Sequence, residues 1–444
     1  MTARSYWCER AWLGGETAAD GVMVEIEGDR IAAVERGVAA PPEAIRLDGI
    51  TIPGFANAHS HAFQRALRGR TQSGRGNFWV WREAMYELAS RLDPDLYLAL
   101  ARATYGEMAL AGTTCVGEFH YLHHGPDGTP YADPNAMGRS LIQAAREAGV
   151  RLTLLDACYL HGGIGEELAG AQRRFGDAGA EAWAERAAEL ASGDRTRIGA
   201  AIHSVRAVDP ASAATVAGWA GERGAPLHAH VSEQPAENEA SRRAYGGTPT
   251  AVLADAGALS ERFTAVHGTH LAQPDFRTLG GAGATCCLCP TTERDLADGI
   301  AEAARLRSAG VELALGSDSH AVIDPFEDAR AVELDERLAT GERGHTAAAE
   351  LLRAATENGD ACLGWPEAGR IAPGAVADLV TVGLDSPRLA GTDPANAADA
   401  VVFVATAADV HDVIVGGEPV VRDGEHLKLD VAAELDAAVE AVWR

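Results

Sequence analysis

Two histidines separated by one serine are the first residues of this chain whose spacing indicates metal chemistry. His59, Ser60 and His61 directly follow the apolar stretch IPGFANA, which predicts a β-strand. Side chains two residues apart on an extended strand point to the same side, so both imidazoles can face one divalent cation. The alternative is a pair of surface histidines with ordinary hydrogen bonds, because an isolated His-x-His pattern has low specificity.

Four more residues with ligand or proton-transfer chemistry lie in or after apolar runs farther along the chain. His230 precedes the last residue of APLHAHV and Glu233 follows it by three residues, whereas His267 lies in FTAVHGTH and Asp318 in VELALGSDS. A carboxylate in such an apolar setting is costly unless it is paired or bound to a cation. Imidazole nitrogens and carboxylate oxygens are typical ligands of zinc and similar divalent ions. The combined set therefore predicts a metal site.

Short apolar strands alternating with longer helices must position these residues. One predicted helix begins after Asp93 and ends near Gly112, and another begins after Asp209 and ends at Gly224. Eight apolar strands separated by helices favour a parallel sheet closed as a (β/α)8 TIM barrel of the α/β class, with chemistry at the C-terminal ends of the strands. The predicted strands lie in IPGFANAHSH, TTCVGEF (113–119), RLTLLDACYL (151–160), RIGAAIHSV (197–205), APLHAHV (225–231), FTAVHGTH (263–270), ATCCLCP (284–290) and VELALGSDS (311–319).

Both ends of the chain predict a second, smaller domain. Residues 1–52 contain VMVEIEGDRIAAVE, two alternating strands joined by a Gly-Asp turn, and residues 371–444 contain the β-type runs ADLVTVGLD, AVVFVA and DVIVGGEPVVRDGE. We expect these segments to form one antiparallel sheet, a small β-sandwich built from both chain ends, with a terminal helix after Leu429. Residues 53–370 then form the catalytic barrel.

The composition excludes several other classes of protein. The chain has 444 residues, of which 47% are hydrophobic and 23% charged, and this excludes wholesale disorder. Its formal charge of −26 repels phosphate backbones and anionic lipids, so we expect no nucleic-acid partner and no membrane partner. The start MTARSYWCER is unlike a signal peptide, and no apolar run has the length of a membrane helix. Seven irregularly spaced cysteines, three of them in the apolar run GATCCLCP, favour buried reduced thiols and a cytoplasmic location.

These residues together resemble the amidohydrolase superfamily. His-x-His on the first barrel strand, the later histidines, Asp318 in LGSDS and the returning segment GRIAPGAVADL are typical of it, and the resemblance covers nearly the whole chain. No strand supplies an obvious bridging lysine for a second ion, so the pattern is similar to the deaminase branch with a single metal. The resemblance implies one divalent ion, Zn²⁺ or alternatively Fe²⁺, held by His59, His61, His230 and Asp318. A hydrolase with two metal ions is the alternative.

The same resemblance implies roles in hydrolysis for three residues. A divalent ion lowers the pKa of a bound water towards neutrality. Asp318 would accept the proton of that water, and Glu233 would carry a proton to the leaving amine. His267 would donate to the hydroxide or stabilise the tetrahedral intermediate electrostatically. Alternatively, Glu233 only orients His230.

Longer strings are similar to one branch of the superfamily, the formimidoylglutamate deiminases, which convert N-formimino-L-glutamate to N-formyl-L-glutamate and ammonia in histidine degradation. This resemblance implies that Gln64, Arg82, Tyr121 and Arg206 hold the glutamate moiety and that His203 lies against the formimino group. Because relatives commonly dimerise, it also implies a homodimer. The strings are HSHAFQRALRGRTQ, NFWVWREAMYEL, GEFHYLHH, HSVRAV, HAHVSEQPAENEA, LCPTTERDLADGI and GSDSHAVIDPFEDAR.

The charge balance gives an independent argument for a small dicarboxylate substrate. Binding a dianion to a protein of charge −26 requires local cations, and arginine is suited to bidentate carboxylate recognition. Arg82 alternatively pairs with Glu83 or Glu87 on a helix face, and Tyr121 alternatively packs in the core.

Two other functions remain open from the sequence. A deaminase of guanine, cytosine or adenosine derivatives, or a related chlorohydrolase, would share the metal site and differ in the pocket. A catalytically inactive scaffold of the same fold predicts lost ligands, whereas all four expected ligands are present. Five residues have no assigned role, and we expect the histidines among them to lie in a loop: Arg294, Asp295, His120, His123 and His124.

Overall fold

The computed structural model describes residues 4–15, 17–73 and 78–444; Asn77, the first residue of NFWVWREAMYEL, lies outside them. The described strands are β1 (Arg4–Trp12), β2 (Ala18–Glu27), β3 (Arg30–Glu35), β4 (Ile45–Pro53), β5 (Phe55–Ser60), β6 (Thr113–His120), β7 (Arg151–Cys158), β8 (Thr196–Ile202), β9 (Leu227–Val231), β10 (Phe263–His267), β11 (Thr285–Leu288), β12 (Glu312–Leu315), β13 (Leu379–Val382), β14 (Val410–Val415), β15 (Glu418–Arg422) and β16 (Glu425–His426). The described helices are α1 (Phe78–Arg91), α2 (Pro94–Leu110), α3 (Ala136–Ala148), α4 (Ala180–Ala187), α5 (Pro210–Arg223), α6 (Pro235–Tyr245), α7 (Pro249–Asp255), α8 (Gln273–Gly281), α9 (Pro290–Leu296), α10 (Ala303–Ser308), α11 (Pro325–Thr340), α12 (Ala348–Ala355), α13 (Glu357–Cys362), α14 (Ala397–Phe403) and α15 (Val431–Trp443).

Eight parallel strands, β5 to β12, form the predicted barrel. They pair in chain order, and the seam between β12 and β5 is bridged at the C-terminal end. There the amide of Asp318 donates to the carbonyl of His59 at 3.0 Å, and the amide of His61 donates to the carbonyl of Asp318 at 3.1 Å. Gly316 permits this approach, because a Cβ atom there would lie 2.7 Å from the Cβ of His59. The (β/α)8 barrel is thus confirmed, and its closing contact joins predicted metal ligands.

The predicted helix starts are confirmed by their caps. The Asp93 carboxylate accepts from the amide of Leu96 at 2.8 Å, and the Asp209 carboxylate accepts from the amide of Ala211 at 3.0 Å. These bonds satisfy amide groups that have no partner within the first helical turn. At the other end of α5, Gly224 has φ of +59°, a left-handed conformation that favours glycine.

The two chain ends build a second eight-stranded sheet, as predicted. Its order is β16-β15-β14-β13-β4-β1-β2-β3, and β13 joins the two ends by antiparallel pairing with β4. The expectation of a wholly antiparallel sheet is wrong at one position, because β1 and β4 are parallel. The β2–β3 hairpin occupies the other edge of β1, so the returning chain adds β4 to the free edge in the same direction as β1.

The β-type interpretation of AVVFVA is also wrong. Residues 397–403 form α14, with Val401 and Val402 buried. Short apolar runs are ambiguous between strand and helix when periodicity is the only guide. The terminal helix after Leu429 is confirmed as α15, and the indole of Trp443 donates to the carbonyl of Ala66 at 3.0 Å.

A buried ion pair connects the barrel to the second sheet. Arg151 at the start of β7 donates to Oδ1 of Asp378, just before β13, at 3.0 Å. The same carboxylate accepts from the amide of Gly416 at 2.7 Å, so a third segment is tied to this point. Among the described residues, no helix combines the length and apolar character needed to cross a membrane.

Candidate metal centre and active site

His59, in β5, and His61, which directly follows β5, lie buried at the C-terminal end of the barrel. The Nε2 atoms of His59 and His61 each lie 3.4 Å from Oδ1 of Asp318. His230, in β9, brings its Nε2 atom to 3.2 Å from Nε2 of His59. His59 therefore lies close to each of the other three predicted ligands, and three distant parts of the chain come together around it.

These separations fit a tetrahedral metal site. Ligand atoms about 2.0–2.2 Å from a zinc ion lie about 3.3–3.6 Å apart along the edges of a tetrahedron. The measured separations of 3.2, 3.4 and 3.4 Å are close to this spacing. Three imidazoles and one carboxylate form a donor set that suits zinc and also accepts iron. The arrangement of these side chains thus fits one divalent cation.

Hydrogen bonds and burial prepare two of the imidazoles for metal binding. Nδ1 of His61 lies 2.9 Å from the carbonyl oxygen of Phe119, and Nδ1 of His230 lies 2.7 Å from that of His203. Since a carbonyl oxygen only accepts, both Nδ1 atoms carry the proton, and each Nε2 lone pair faces the site. Burial lowers the pKa of His61 to about 3 and the pKa of His230 well below its ordinary value. Both rings are therefore neutral at pH 7, the form that binds a metal ion.

His267 faces the same point from the end of β10. Its Nε2 atom lies 3.9 Å from Oδ2 of Asp318 and 3.9 Å from Oε1 of Glu233. Burial alone would lower the pKa of His267, but its hydrogen bond to Glu293 and the nearby negative charges outweigh burial and raise that pKa to about 10. Burial raises the pKa of Asp318 to about 7. A bound divalent cation would favour the deprotonated form of both groups.

Left-handed backbone conformations direct several side chains at this mouth. His267 has φ of 71°, Asp318 has φ of 46°, and Ser232 and His320 have φ of 53° and 58°. Such conformations cost residues other than glycine about 1 kcal/mol or more. Because all four residues lie at or just beyond the C-terminal ends of barrel strands, the surrounding fold imposes this strain where the candidate chemistry is located.

A cavity adjoins the candidate metal centre, and three of the four candidate ligands line it: His61, His230 and Asp318. Nε2 of Gln64 donates to the hydroxyl of Tyr121 at 2.9 Å, and Oε1 of Gln64 is buried without a hydrogen-bond partner among the described residues. That oxygen is available to a ligand. The cavity wall includes all five residues predicted to bind substrate: Gln64, Arg82, Tyr121, His203 and Arg206.

Arg206, one of these five residues, already takes part in an ion pair. Its Nη2 atom donates to Oε2 of Glu233 at 2.7 Å, and its Nε atom donates to the hydroxyl of Ser204 at 3.3 Å. Oε2 of Glu237 lies 3.9 Å from the same Nε atom. Arg206 and Glu233 are predicted from sequence to have separate roles, whereas in the structure each compensates the charge of the other.

Two carboxylates that the sequence analysis did not single out hold the candidate residues in place. Oε1 of Glu293 accepts from Nδ1 of His267 at 3.3 Å and from the amide of Cys289 at 2.9 Å. Glu118 accepts from the hydroxyl of Ser60 at 2.6 Å, and Ser60 is the residue between His59 and His61 in the sequence. Glu293 lies in the first turn of α9, directly after β11, and this position was the sequence signal that could have indicated its role.

The histidines of FHYLHH lie in a buried polar network. The expectation of loop residues is wrong for His120, which ends β6, and none of the three is among the described residues that line the cavity. Nε2 of His123 donates to the carbonyl of Ala157 at 2.8 Å, so its Nδ1 accepts from Nε2 of His120 at 3.3 Å. His124 lies 3.2 Å from Oδ1 of Asp177.

The other sequence features without an assigned role make structural contacts. Arg294 donates to Glu327 at 2.8 Å, and Gln72 donates to Asp295 at 3.0 Å. All seven cysteines are free and buried, as predicted, and β11 carries the buried run TCCL.

Comparison with known proteins agrees with this geometry. Residues 50–420 match the model of the amidohydrolase family. The chain belongs to this family. It is 38% identical to a formimidoylglutamate deiminase from Pseudomonas aeruginosa over 436 residues, which cover 95% of each chain. It is 30% identical to an 8-oxoguanine deaminase from the same organism, over 94% of this chain and 93% of that one. The crystal structure of an amidohydrolase from Brucella melitensis is 32% identical, has a TM-score of 0.90, and is matched over 99% of this chain and 100% of that one.

Membership of the family confirms the predicted class of chemistry. The chain is an amidohydrolase-type deaminase, a hydrolase of C–N bonds. The family is metal-dependent, and the histidine-rich cluster at the barrel mouth can hold the ion that this chemistry needs.

Proposed function

We propose that this amidohydrolase converts N-formimino-L-glutamate to N-formyl-L-glutamate and ammonia with one bound divalent ion, Zn²⁺ or Fe²⁺. The observation that carries the proposal is the presence of two guanidinium groups, Arg82 and Arg206, in a cavity that three of the four candidate ligands also line: His61, His230 and Asp318. In a chain of charge −26, cations at this position suit a substrate with two carboxylates. The 38% identity to a formimidoylglutamate deiminase supports the same substrate.

The cavity wall offers complementary groups for each part of this substrate. The arginines would bind the carboxylates, and the buried Oε1 of Gln64 would accept a hydrogen bond. Tyr121, whose hydroxyl accepts from Gln64, would donate its own proton to a carboxylate oxygen. His203, which lines the cavity and packs against Tyr159 with ring centroids 4.4 Å apart, would lie against the formimino group.

His59, His61, His230 and Asp318 would hold the ion, which when bound supplies Lewis acidity and lowers the pKa of water. Asp318 would accept one proton of the attacking water, and Glu233 would take the other and deliver it to the departing nitrogen. His267 would stabilise negative charge on the oxygen that is attacking. The water oxygen bonds to the formimino carbon, and the bond to the terminal nitrogen breaks. That nitrogen already carries two hydrogens in the cationic amidine, so with both water protons it leaves as ammonium, the protonated form of ammonia.

Ammonia release from N-formimino-L-glutamate tests the proposed function directly. The purified protein should release ammonia from this compound, lose the activity on chelation, and regain it with Zn²⁺ or Fe²⁺. Metal analysis should give one ion per chain, and two ions would support the binuclear alternative. A protein with one bound ion and no ammonia release would contradict the proposal, and a protein that binds no ion would instead support the inactive scaffold.

Deamination of a nucleobase is the second candidate. The rings of Tyr121, Tyr159 and Phe175 pack together in the cavity wall, and an aromatic base could stack on them. The 30% identity to an 8-oxoguanine deaminase supports the same alternative. Faster turnover of 8-oxoguanine or an adenosine derivative than of N-formimino-L-glutamate would favour it.

The remaining expectations about partners are part of the same proposal. The charge of −26 supports a protein without nucleic-acid or membrane partners, and seven buried free thiols support a cytoplasmic location. We also propose a homodimer, which light scattering coupled to size-exclusion chromatography would test.

A further inference from the structure

The ion pair between Arg206 and Glu233 presents a difficulty for the proposed reaction. Glu233 must contact the amidine group, yet its Oε2 atom is held by Arg206 at 2.7 Å. The other oxygen faces His267 at 3.9 Å. Both members of the pair are more than four-fifths buried, so water screens their attraction poorly. A ligand that needs Glu233 must therefore compete with Arg206.

We propose that substrate binding exchanges this ion pair. A substrate carboxylate forms an ion pair with Arg206, and the cationic amidine forms an ion pair with the released Glu233. This inference rests on the proposed function, and it adds that Arg206 gates the acid/base residue as well as binding a carboxylate. Two ion pairs exist after the exchange where one existed before. Neither Arg206 nor Glu233 is then left as an unpaired buried charge, which would be costly.

The surroundings of Arg206 allow its guanidinium to change partner without leaving the cavity. The Nε atom donates to Ser204 at 3.3 Å and faces Glu237 at 3.9 Å, whereas Nη2 makes the contact with Glu233. The contacts to Ser204 and Glu237 can persist while a ligand carboxylate replaces Glu233 at Nη2. Glu237 is itself fixed, because it accepts from the backbone amide of Glu233 at 3.2 Å. Glu237 is thus a positioning residue for the exchange.

The exchange explains both the choice of substrate and the release of product. A neutral nucleobase has no carboxylate to draw Arg206 away, so Glu233 stays paired. The substrate has both charges that the exchange requires. The formyl product has lost the cationic amidine, so Glu233 has no ligand cation and recovers Arg206. Return of the ion pair would then help to expel the product.

The exchange predicts effects of opposite sign for two substrates in an Arg206→Met variant. Formamidine consists of the reacting amidine alone and has no carboxylate. Its kcat/KM should rise in the metal-loaded variant by roughly tenfold, about the contribution of one hydrogen bond to a charged group. With N-formimino-L-glutamate the KM should instead rise by roughly tenfold or more, because the carboxylate loses its partner. If Arg206 were only a carboxylate anchor, formamidine turnover would be equal in both proteins, and equal values, including zero in both, would overturn the exchange.

Arg294→Met is the matched control. Arg294 also forms an ion pair with a glutamate, Glu327 at 2.8 Å, and it is not among the described residues that line the cavity. Its replacement removes the same charge and should leave both substrates unaffected. A rise in formamidine turnover in this control as well would assign the effect to net charge and overturn the exchange.

A crystal structure of the metal-loaded wild-type protein with glutarate tests the geometry separately. Glutarate, a five-carbon dicarboxylate, should bind Arg206 and lengthen the contact between Nη2 of Arg206 and Oε2 of Glu233 beyond hydrogen-bond distance. Retention of that contact with glutarate in the cavity would overturn the exchange. Neither glutarate nor formamidine is the proposed substrate, so a failure to release ammonia from N-formimino-L-glutamate would contradict the proposed function alone.

Discussion

Replacing Glu293 by leucine should strongly reduce hydrolysis while the metal ligands remain in place. Oε1 of Glu293 accepts from Nδ1 of His267 at 3.3 Å, and this contact orients the ring so that Nε2 faces Asp318 and Glu233. Without the carboxylate, the ring is free to adopt either tautomer or to turn. Because Glu293 contacts none of the four predicted ligands, the effect acts through His267.

The structure sets the size of the effect. Glu293 accepts two buried hydrogen bonds, from His267 and from the amide of Cys289, and each bond to a charged group is worth about 1.5–3 kcal/mol. The Glu293→Leu variant should therefore lose about 3–6 kcal/mol of unfolding free energy. Its kcat should fall by about 10–100-fold, as expected when a residue that orients a catalytic histidine is removed. Glu293→Gln keeps an acceptor oxygen at this position and should retain most of both.

The assay combines ammonia release, urea unfolding and metal content of each purified variant. Glu342→Leu, a replacement of an exposed glutamate, is the control and should match the wild type in all three measurements. A Glu293→Leu protein that is folded, loaded with metal and as fast as the wild type would refute the positioning of His267 by Glu293. Equal loss of kcat in the leucine and glutamine variants would show that the negative charge, rather than the acceptor geometry, is the important property.

Three further predictions concern stability. Chelation should lower the melting temperature, and Zn²⁺ at 1,000 times its Kd should restore about 4 kcal/mol, since the ion binds only the folded state; calorimetry with and without chelator would measure this. Burial raises the pKa of Glu118 from 4.5 to about 7, so between these pH values the folded state keeps a proton that the unfolded state releases. Relative to Glu118→Gln, the free energy of unfolding of the wild type should therefore fall by up to about 3 kcal/mol as pH rises through this window. Urea unfolding of both proteins at pH 5 and pH 8 measures this difference, and an equal pH dependence in both would contradict the prediction. Arg151→Met leaves the buried Asp378 without its cation and should cost about 3–5 kcal/mol in urea unfolding with kcat unchanged, whereas a change in kcat would show that this ion pair also affects the site.

The residues that could be predicted from sequence are those whose position follows from strand periodicity. His59 in β5 and His61 directly after it both face the candidate metal centre because they are two residues apart, and the C-terminal ends of all barrel strands meet at one mouth. His230 and Asp318 follow the same rule, although Asp318 lies three residues beyond the end of β12. The barrel constrains these positions so strongly that residue type and strand order are sufficient to predict which side chains lie at the mouth.

Contacts between side chains on neighbouring loops could not be predicted in this way. The pairing of Arg206 with Glu233 depends on the path of two loops after β8 and β9, and the sequence carries no periodic signal for such a path. The support of His267 by Glu293 depends equally on where α9 begins. Arg206, Glu233 and Glu293 all lie in sequence strings that are typical of the formimidoylglutamate deiminases, but such a string does not show which side chains are in contact.

The charges at the barrel mouth explain why these contacts and the metal site belong together. Four carboxylates, each of which carries one negative charge when ionised, surround the mouth: Glu233, Glu237, Glu293 and Asp318. Arg206 and protonated His267 compensate two of these charges, which leaves an excess of two negative charges that one divalent cation would neutralise. A substrate with two carboxylates and one amidinium adds one further negative charge, and Arg82 in the cavity wall offers the matching positive charge. Because uncompensated buried charge is costly, a mouth without the ion favours protonation, in agreement with the pKa of Asp318 at about 7. Metal binding and dicarboxylate recognition therefore satisfy the same electrostatic requirement.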